Sequence, residues 1–184
     1  GMNIALLRNY GGTYALAAVA RLLQSQTNTN IVSTPNLITL DNNPDHKPDV
    51  LHDLDILPLP FSDNTFDEIH AYEVMEHLGK QGDWRRFFAE WSEFWRILKP
   101  GGLFCGTSPS LSSPWLWGDP GHTRTVQKEQ FTFLSQPSYE QVGRTAMTDY
   151  RFVYTADFNA CHFDDQDGTF IFVLQAIKPS RCKL

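Results

Sequence analysis

The sequence predicts an α/β protein built on an open sheet, mostly parallel, with helices on both faces and a reversed C-terminal strand. Three observations predict it. Strand-like and helical runs alternate from Ile4 to Thr107, a strongly amphipathic stretch between Asp83 and Lys99 is cut off by Pro100-Gly101-Gly102, and two strand-like runs near the end flank the turn sequence Asp165-Gln166-Asp167-Gly168. The 184 residues, 41% of them hydrophobic, supply one core and are too few for two domains of ordinary size, so residues 2–184 are read as a single domain. Gly1 ahead of Met2 is read as an expression remnant.

Taken in order, Ile4–Leu7 is the first strand and Arg8-Asn9-Tyr10-Gly11-Gly12 the turn after it, with Thr13 capping a helix from Tyr14 to about Gln24. Asn36–Leu40 is an apolar strand that stops at Asp41, and Val50–Asp53 is a short strand that again ends in an acid. Turn chemistry at Phe61–Thr65 precedes a buried strand, Phe66–Tyr72. In the following helix Trp84, Phe87, Phe88, Trp91, Phe94, Trp95 and Leu98 recur at three- and four-residue steps, which makes the stripe core and leaves charges on the other face. Proline cannot continue the helical ladder, so Pro100-Gly101-Gly102 ends it, and Leu103–Thr107 resumes as strand. Ser108–Gly121 is a loop rich in Ser, Pro, Trp and Gly, and Lys128–Leu134 is a short helix. Tyr150–Thr155 and Thr169–Ile177 are the two arms of an antiparallel hairpin.

Charge and cysteine usage exclude several classes. Fifteen Lys and Arg against twenty-one Asp and Glu leave a net charge of -6, with no general attraction to nucleic acid or anionic membrane. No run approaches the roughly 18 apolar residues that span a bilayer. Ala18-Val19-Ala20 imitates a signal-peptidase site, but its apolar run is short and Arg21-Leu22-Leu23 continues the helical pattern. Cys105, Cys161 and Cys182 are odd in number and far apart, which points to a reducing, cytoplasmic setting. His46, His52, His70 and His162 lack metal-ligand spacing, so no metal is expected.

In an open α/β sheet the ligand lies outside the carboxyl ends of the strands, near the switch in strand order. Those ends are Tyr10–Gly12, Asp41, Asp53 and Ala71–Glu73. Asp41 is placed either to accept hydrogen bonds from a ribose or to begin the turn Asp41-Asn42-Asn43-Pro44. It stands 29 residues after Gly12, where dinucleotide sites use about 20, and spacing leaves both readings open. The loop Trp115–Arg124 follows the fifth strand, so its start shares this rim. Trp117 and His122 are candidates for a substrate wall, and Arg124 for a contact to an anionic group.

Four pieces then fall in register: His52-Asp53-Leu54, Leu59-Pro60-Phe61-Ser62-Asp63-Asn64-Thr65-Phe66-Asp67-Glu68-Ile69, Glu73-Val74-Met75-Glu76-His77-Leu78, and Arg96-Ile97-Leu98-Lys99-Pro100-Gly101-Gly102. In this combination the sequence resembles the class I S-adenosylmethionine-dependent methyltransferases, whose sheet is Rossmann-like and ends in a reversed strand. The resemblance implies methyl transfer from S-adenosylmethionine. It implies that Gly11 and Gly12 form the loop against the cofactor, that Asp41 holds the ribose, and that Asp53 and Leu54 meet the adenine. Ala71 and Tyr72 then lie beside the methionine portion, and Glu76-His77 matches an acid-His pair near the substrate, with His77 either a general base or a partly buried structural histidine. Asp67 is read as anchoring the start of its strand.

Arg8, Asn9 and Tyr10 stand where the family has small residues. A second reading therefore stays open: a methyltransferase-like domain that has lost its cofactor and serves as a binding or scaffold module, the reading that an Arg8 or Tyr10 side chain inside the pocket favours. With no basic aromatic surface and no Asn-Pro-Pro-Tyr element, the default acceptor is a small molecule.

Overall fold

Strands buried on both faces require nearly continuous apolar sequence, and Ile4-Ala5-Leu6-Leu7 meets that demand with all four side chains buried. The computed structural model describes residues 2–8 and 36–184. Gly11, Gly12, Tyr10 and the helix expected at Tyr14–Gln24 lie outside the described residues. The strands are β1 (Asn3–Leu7), β2 (Asn36–Asp41), β3 (Val50–Leu51), β4 (Phe66–Tyr72), β5 (Leu98–Pro109), β6 (Phe158–Gln166) and β7 (Thr169–Ala176). They form one seven-stranded sheet in the order β3-β2-β1-β4-β5-β7-β6. The first five are parallel, and β7 runs antiparallel between β5 and β6. The predicted open, mostly parallel sheet with a reversed last strand is what the chain forms.

The one long described helix, α1 (Trp84–Ile97), is capped by Asp83, whose side chain accepts the Arg86 N–H at 3.1 Å. Phe88, Trp91, Phe94 and Ile97 are buried against the sheet. The Trp91 ring meets Phe104 of β5 at 4.7 Å and Phe158 of β6 at 5.6 Å between centroids. Its complete burial contributes about 3 kcal/mol or less before packing losses are counted. The expected charged outer face is corrected in two places. Glu90 and Glu93 are buried, Glu90 between Arg86 and Arg124, and Glu93 between Arg96 and the Leu59 N–H, while Trp84 and Trp95 are only half-buried.

The helix stops at Ile97 rather than Lys99. A residue preceding proline is pushed toward extended backbone, and Leu98 and Lys99 already belong to β5. Lys99 Nζ and the Asn3 N–H both bond Asp67 Oδ2, at 2.9 and 2.8 Å, so Asp67 ties the starts of β1, β4 and β5 together in the anchoring role expected of it.

The hairpin's first arm is β6 rather than the predicted Tyr150–Thr155. Asp167 and Gly168 both take positive φ, 50° and 83°, as a two-residue hairpin loop demands. The arms must then flank that loop directly, with Gln166 opposite Thr169. The Tyr150–Thr155 stretch folds into a turn, its Tyr154 N–H bonding Tyr150 O at 2.9 Å and its buried hydroxyl donating to Leu134 O at 2.9 Å. No helix among the described residues is long and apolar enough to cross a membrane.

Candidate functional site

The sheet switches direction of growth at β1, which has β2 on one side and β4 on the other. Four segments meet at that rim: Arg8 after β1, Asp41 at the end of β2, Asp53-Leu54 after β3, and Ala71-Tyr72 at the end of β4. Asp41 is fully buried. Its Oδ1 accepts the Asn43 N–H at 3.0 Å, so the turn reading holds, and its Oδ2 lies 2.8 Å from His46 Nδ1. Each carboxylate oxygen has two acceptor positions, so one remains on each beyond these partners among the described residues. Arg8 Nε lies 3.8 Å from Oδ2 and is buried without a hydrogen-bond partner.

Asp53 makes a tight turn, its Oδ1 accepting the Asp55 N–H at 2.9 Å. Arg86 of α1 pins that turn by donating to Leu54 O at 2.6 Å and to Asp55 O at 2.7 Å. Ala71 is buried beside Leu7 in the parallel pair of β1 and β4. The Tyr72 hydroxyl lies 2.6 Å from His70 Nδ1, and His70 Nε2 lies 2.7 Å from Glu68 Oε2. Burial pushes the Tyr72 hydroxyl well above its ordinary pKa. This Glu68–His70–Tyr72 ladder was not singled out from the sequence, although the two-residue period of a strand places all three on one face.

A second cluster forms where β4 gives way to the 3₁₀ turn Met75–His77. The segment Gly121–Arg124 is zipped against it: Arg124 Nε donates to Met75 O at 2.6 Å, the Thr123 N–H to Glu76 O at 2.9 Å, and His77 Nδ1 to Gly121 O at 3.0 Å. A Cβ on Gly121 would come within 3.3 Å of His77 Nδ1, so this close approach favours glycine. His122 Nδ1 donates to Leu116 O at 3.0 Å, and its Nε2 faces Glu76 Oε1 at 4.0 Å and Asp119 Oδ2 at 3.7 Å.

Glu76 is completely buried, and neither carboxyl oxygen has a hydrogen bond of ordinary geometry. Burial first, and the neighbouring Glu73 second, push its carboxyl up to about 9. Burial and the His122 ring hold His77 below its ordinary value, so its imidazole is neutral at physiological pH.

Of the expected substrate-wall residues, His122 joins this cluster and Trp117 stands 57% exposed on the helical turn Trp115–Gly118. Arg124 turns inward. Its Nη2 pairs with buried Glu90, and its side chain edges a cavity of about 310 Å³ that Trp84, Phe88 and Tyr150 also line. The assembly of Glu76, His77 and His122 went unseen in the sequence because 45 residues separate the histidines.

The family model for "Methyltransferase domain" matches residues 10–106. A sterol 24-C-methyltransferase from Pneumocystis carinii is 31% identical over 72 residues, a match that spans 39% of this chain and 18% of that protein. The fold is similar to a SAM-dependent methyltransferase from Archaeoglobus fulgidus, with a TM-score of 0.54, 13% identity, and coverage of 95% of this chain and 86% of that one. A SAM-dependent methyltransferase from Aquifex aeolicus gives a TM-score of 0.53 at 13% identity, covering 96% and 82%. With the family model matching more than half of its length and the strand order built as described, the chain belongs to the class I S-adenosylmethionine-dependent methyltransferase family.

Proposed function

We propose that residues 2–184 form a single domain that transfers a methyl group from S-adenosylmethionine to a small-molecule acceptor. The carrying observation is the pair of acids beside the switch point, Asp41 at the end of β2 and Asp53 in the turn after β3, with Asp41 keeping one acceptor position on each oxygen among the described residues. That arrangement suits an adenosyl ligand: Asp41 for the ribose hydroxyls, Asp53 and Leu54 for the adenine, and Ala71 and Tyr72 beside the methionine portion; Gly11 and Gly12, which the resemblance assigns to the cofactor loop, lie outside the described residues. The cofactor supplies a methyl already activated by the positive charge on its sulfur, so the transfer is a single displacement. What the chain must add is alignment and exclusion of water.

His77 is the acceptor-side group in this reading. Its neutral imidazole has a lone pair on the nitrogen that does not bond Gly121 O, and takes the acceptor's proton where the acceptor carries one. Trp117 and His122 wall the acceptor, while Arg124 acts through Met75 and Glu90 rather than on an anion. The cysteines are unpaired, which supports a reducing cytoplasm.

One observation favours a second reading. Arg8 lies over Asp41, as it would in a domain that has lost its cofactor and serves as a scaffold. A thermal-shift series separates the two. S-adenosylhomocysteine at millimolar concentration stabilises the protein while NAD does not if the chain is a methyltransferase, and no shift with either supports the scaffold.

A further inference from the structure

We infer that Glu76, His77 and His122, with Glu73 beside them, bind one divalent first-row transition-metal cation such as Mn²⁺. One donor atom from each of Glu76, His77 and His122 lies within 4.8 Å of the other two. Neighbouring ligands about 2.1 Å from a common metal are separated by about 3.0–3.4 Å in octahedral or tetrahedral geometry. Side-chain movements of no more than about 2 Å therefore close the site.

The partners of these groups are arranged as a metal site requires. A carbonyl oxygen can only accept, so His122 carries its proton on Nδ1, toward Leu116 O, and His77 carries its own on Nδ1, toward Gly121 O. Each imidazole keeps its lone pair on Nε2. Outer hydrogen bonds of this kind fix the tautomer of metal-bound histidines. At 4.0 Å, His122 Nε2 and Glu76 Oε1 are too far apart for a hydrogen bond. Both Glu76 oxygens are buried without a hydrogen-bond partner among the described residues, a state that costs free energy until a cation or proton satisfies them. Glu73 faces the same carboxyl, and its backbone is held at φ 52°, where non-glycine residues are uncommon. Two imidazoles with carboxylate oxygens suit Mn²⁺, Fe²⁺, Co²⁺ or Zn²⁺ better than Mg²⁺ or Ca²⁺.

The segment that brings His122 in is the one zipped to Met75–His77, so the fold builds the site from two stretches 45 residues apart. A lone pair given to a metal is unavailable to a proton. An occupied site therefore makes His77 a ligand that orients the acceptor rather than its base. The metal site does not depend on the methyl-transfer reading, and its test uses no adenosyl ligand.

Chelator-treated full chain is titrated with MnCl₂, and free Mn²⁺ is read by electron paramagnetic resonance. One site of micromolar affinity is expected, weakened at least about tenfold in His122→Ala and in Glu76→Gln, and unchanged in His162→Ala on the exposed hairpin. Circular dichroism establishes that each variant is folded. Wild-type chain that leaves Mn²⁺ free at millimolar concentration overturns the site, as does a folded His122→Ala with wild-type affinity. A CoCl₂ titration of the wild type needs no variant: visible bands shifted by imidazole ligation support the site, and the unchanged spectrum of aqueous Co²⁺ overturns it.

Discussion

Arg8 Nε lies 3.8 Å from Asp41 Oδ2, buried and without a hydrogen bond, while His46 Nδ1 meets the same oxygen at 2.8 Å. The two neighbours of Asp41 are unequal. His46 makes a well-formed contact, whereas the Arg8 Nε–H is buried with no hydrogen-bond partner among the described residues, a state that costs about 1–3 kcal/mol. Arg8 is therefore the neighbour of Asp41 that moves at least expense, and in the proposed cofactor reading a ribose is expected to displace it before His46.

If the proposed cofactor reading holds, removing that neighbour tightens binding. Arg8→Ala is expected to raise affinity for S-adenosylhomocysteine about three- to tenfold, roughly 1 kcal/mol, in equilibrium dialysis. Unchanged or weaker binding would show that Arg8 does not stand in the way.

Arg124 holds the Gly121–Arg124 segment against the Met75–His77 turn. Arg124→Met leaves buried Glu90 with only Arg86, at 3.4 Å, and frees Met75 O. Breaking one side of a buried pair typically costs about 3–5 kcal/mol, and the remaining Arg86 places the expected loss near ~3 kcal/mol in urea unfolding. A loss below ~1 kcal/mol would mean that the pair is not buried in solution.

Asp67 gives the fold a pH dependence. Partial burial opposes ionisation, but Lys99 and the Asn3 N–H outweigh it and hold the carboxyl below its ordinary value. A lowered folded pKa stabilises above the unfolded value of about 3.9 and stops doing so as pH falls through the folded value. The stability gap between wild type and Asp67→Asn should be constant from neutral pH down to about pH 5 and shrink below the unfolded value. As the pair is partly exposed, the gap stays within about 1 kcal/mol. A gap that grows toward acid pH contradicts this sign.

Local chemistry explains which parts of this protein were legible in its sequence. The Trp91 stripe, the Asp167-Gly168 turn and the acid ending β2 are each set by neighbouring residues, and periodicity or turn preference exposes them, while β3 ends at Leu51 rather than at Asp53, which opens the following turn. β6 was missed because a largely solvated edge strand carries no apolar alternation, while the buried Tyr154 gave a turn the look of a strand. Buried Glu90 and Glu93 depend on partners outside α1, among them Arg124 and the Leu59 N–H. The Glu76–His77–His122 cluster exists only once Gly121–Arg124 docks on the turn after β4, and no spacing rule encodes that contact.

Calorimetric titration of the purified chain with S-adenosylhomocysteine tests methyl-transfer chemistry on this rim most directly. A one-to-one isotherm of micromolar affinity is expected, weakened at least about tenfold in a folded Asp41→Ala by loss of two charge-assisted hydrogen bonds. No heat at millimolar ligand, or an Asp41→Ala isotherm identical to wild type, would contradict it.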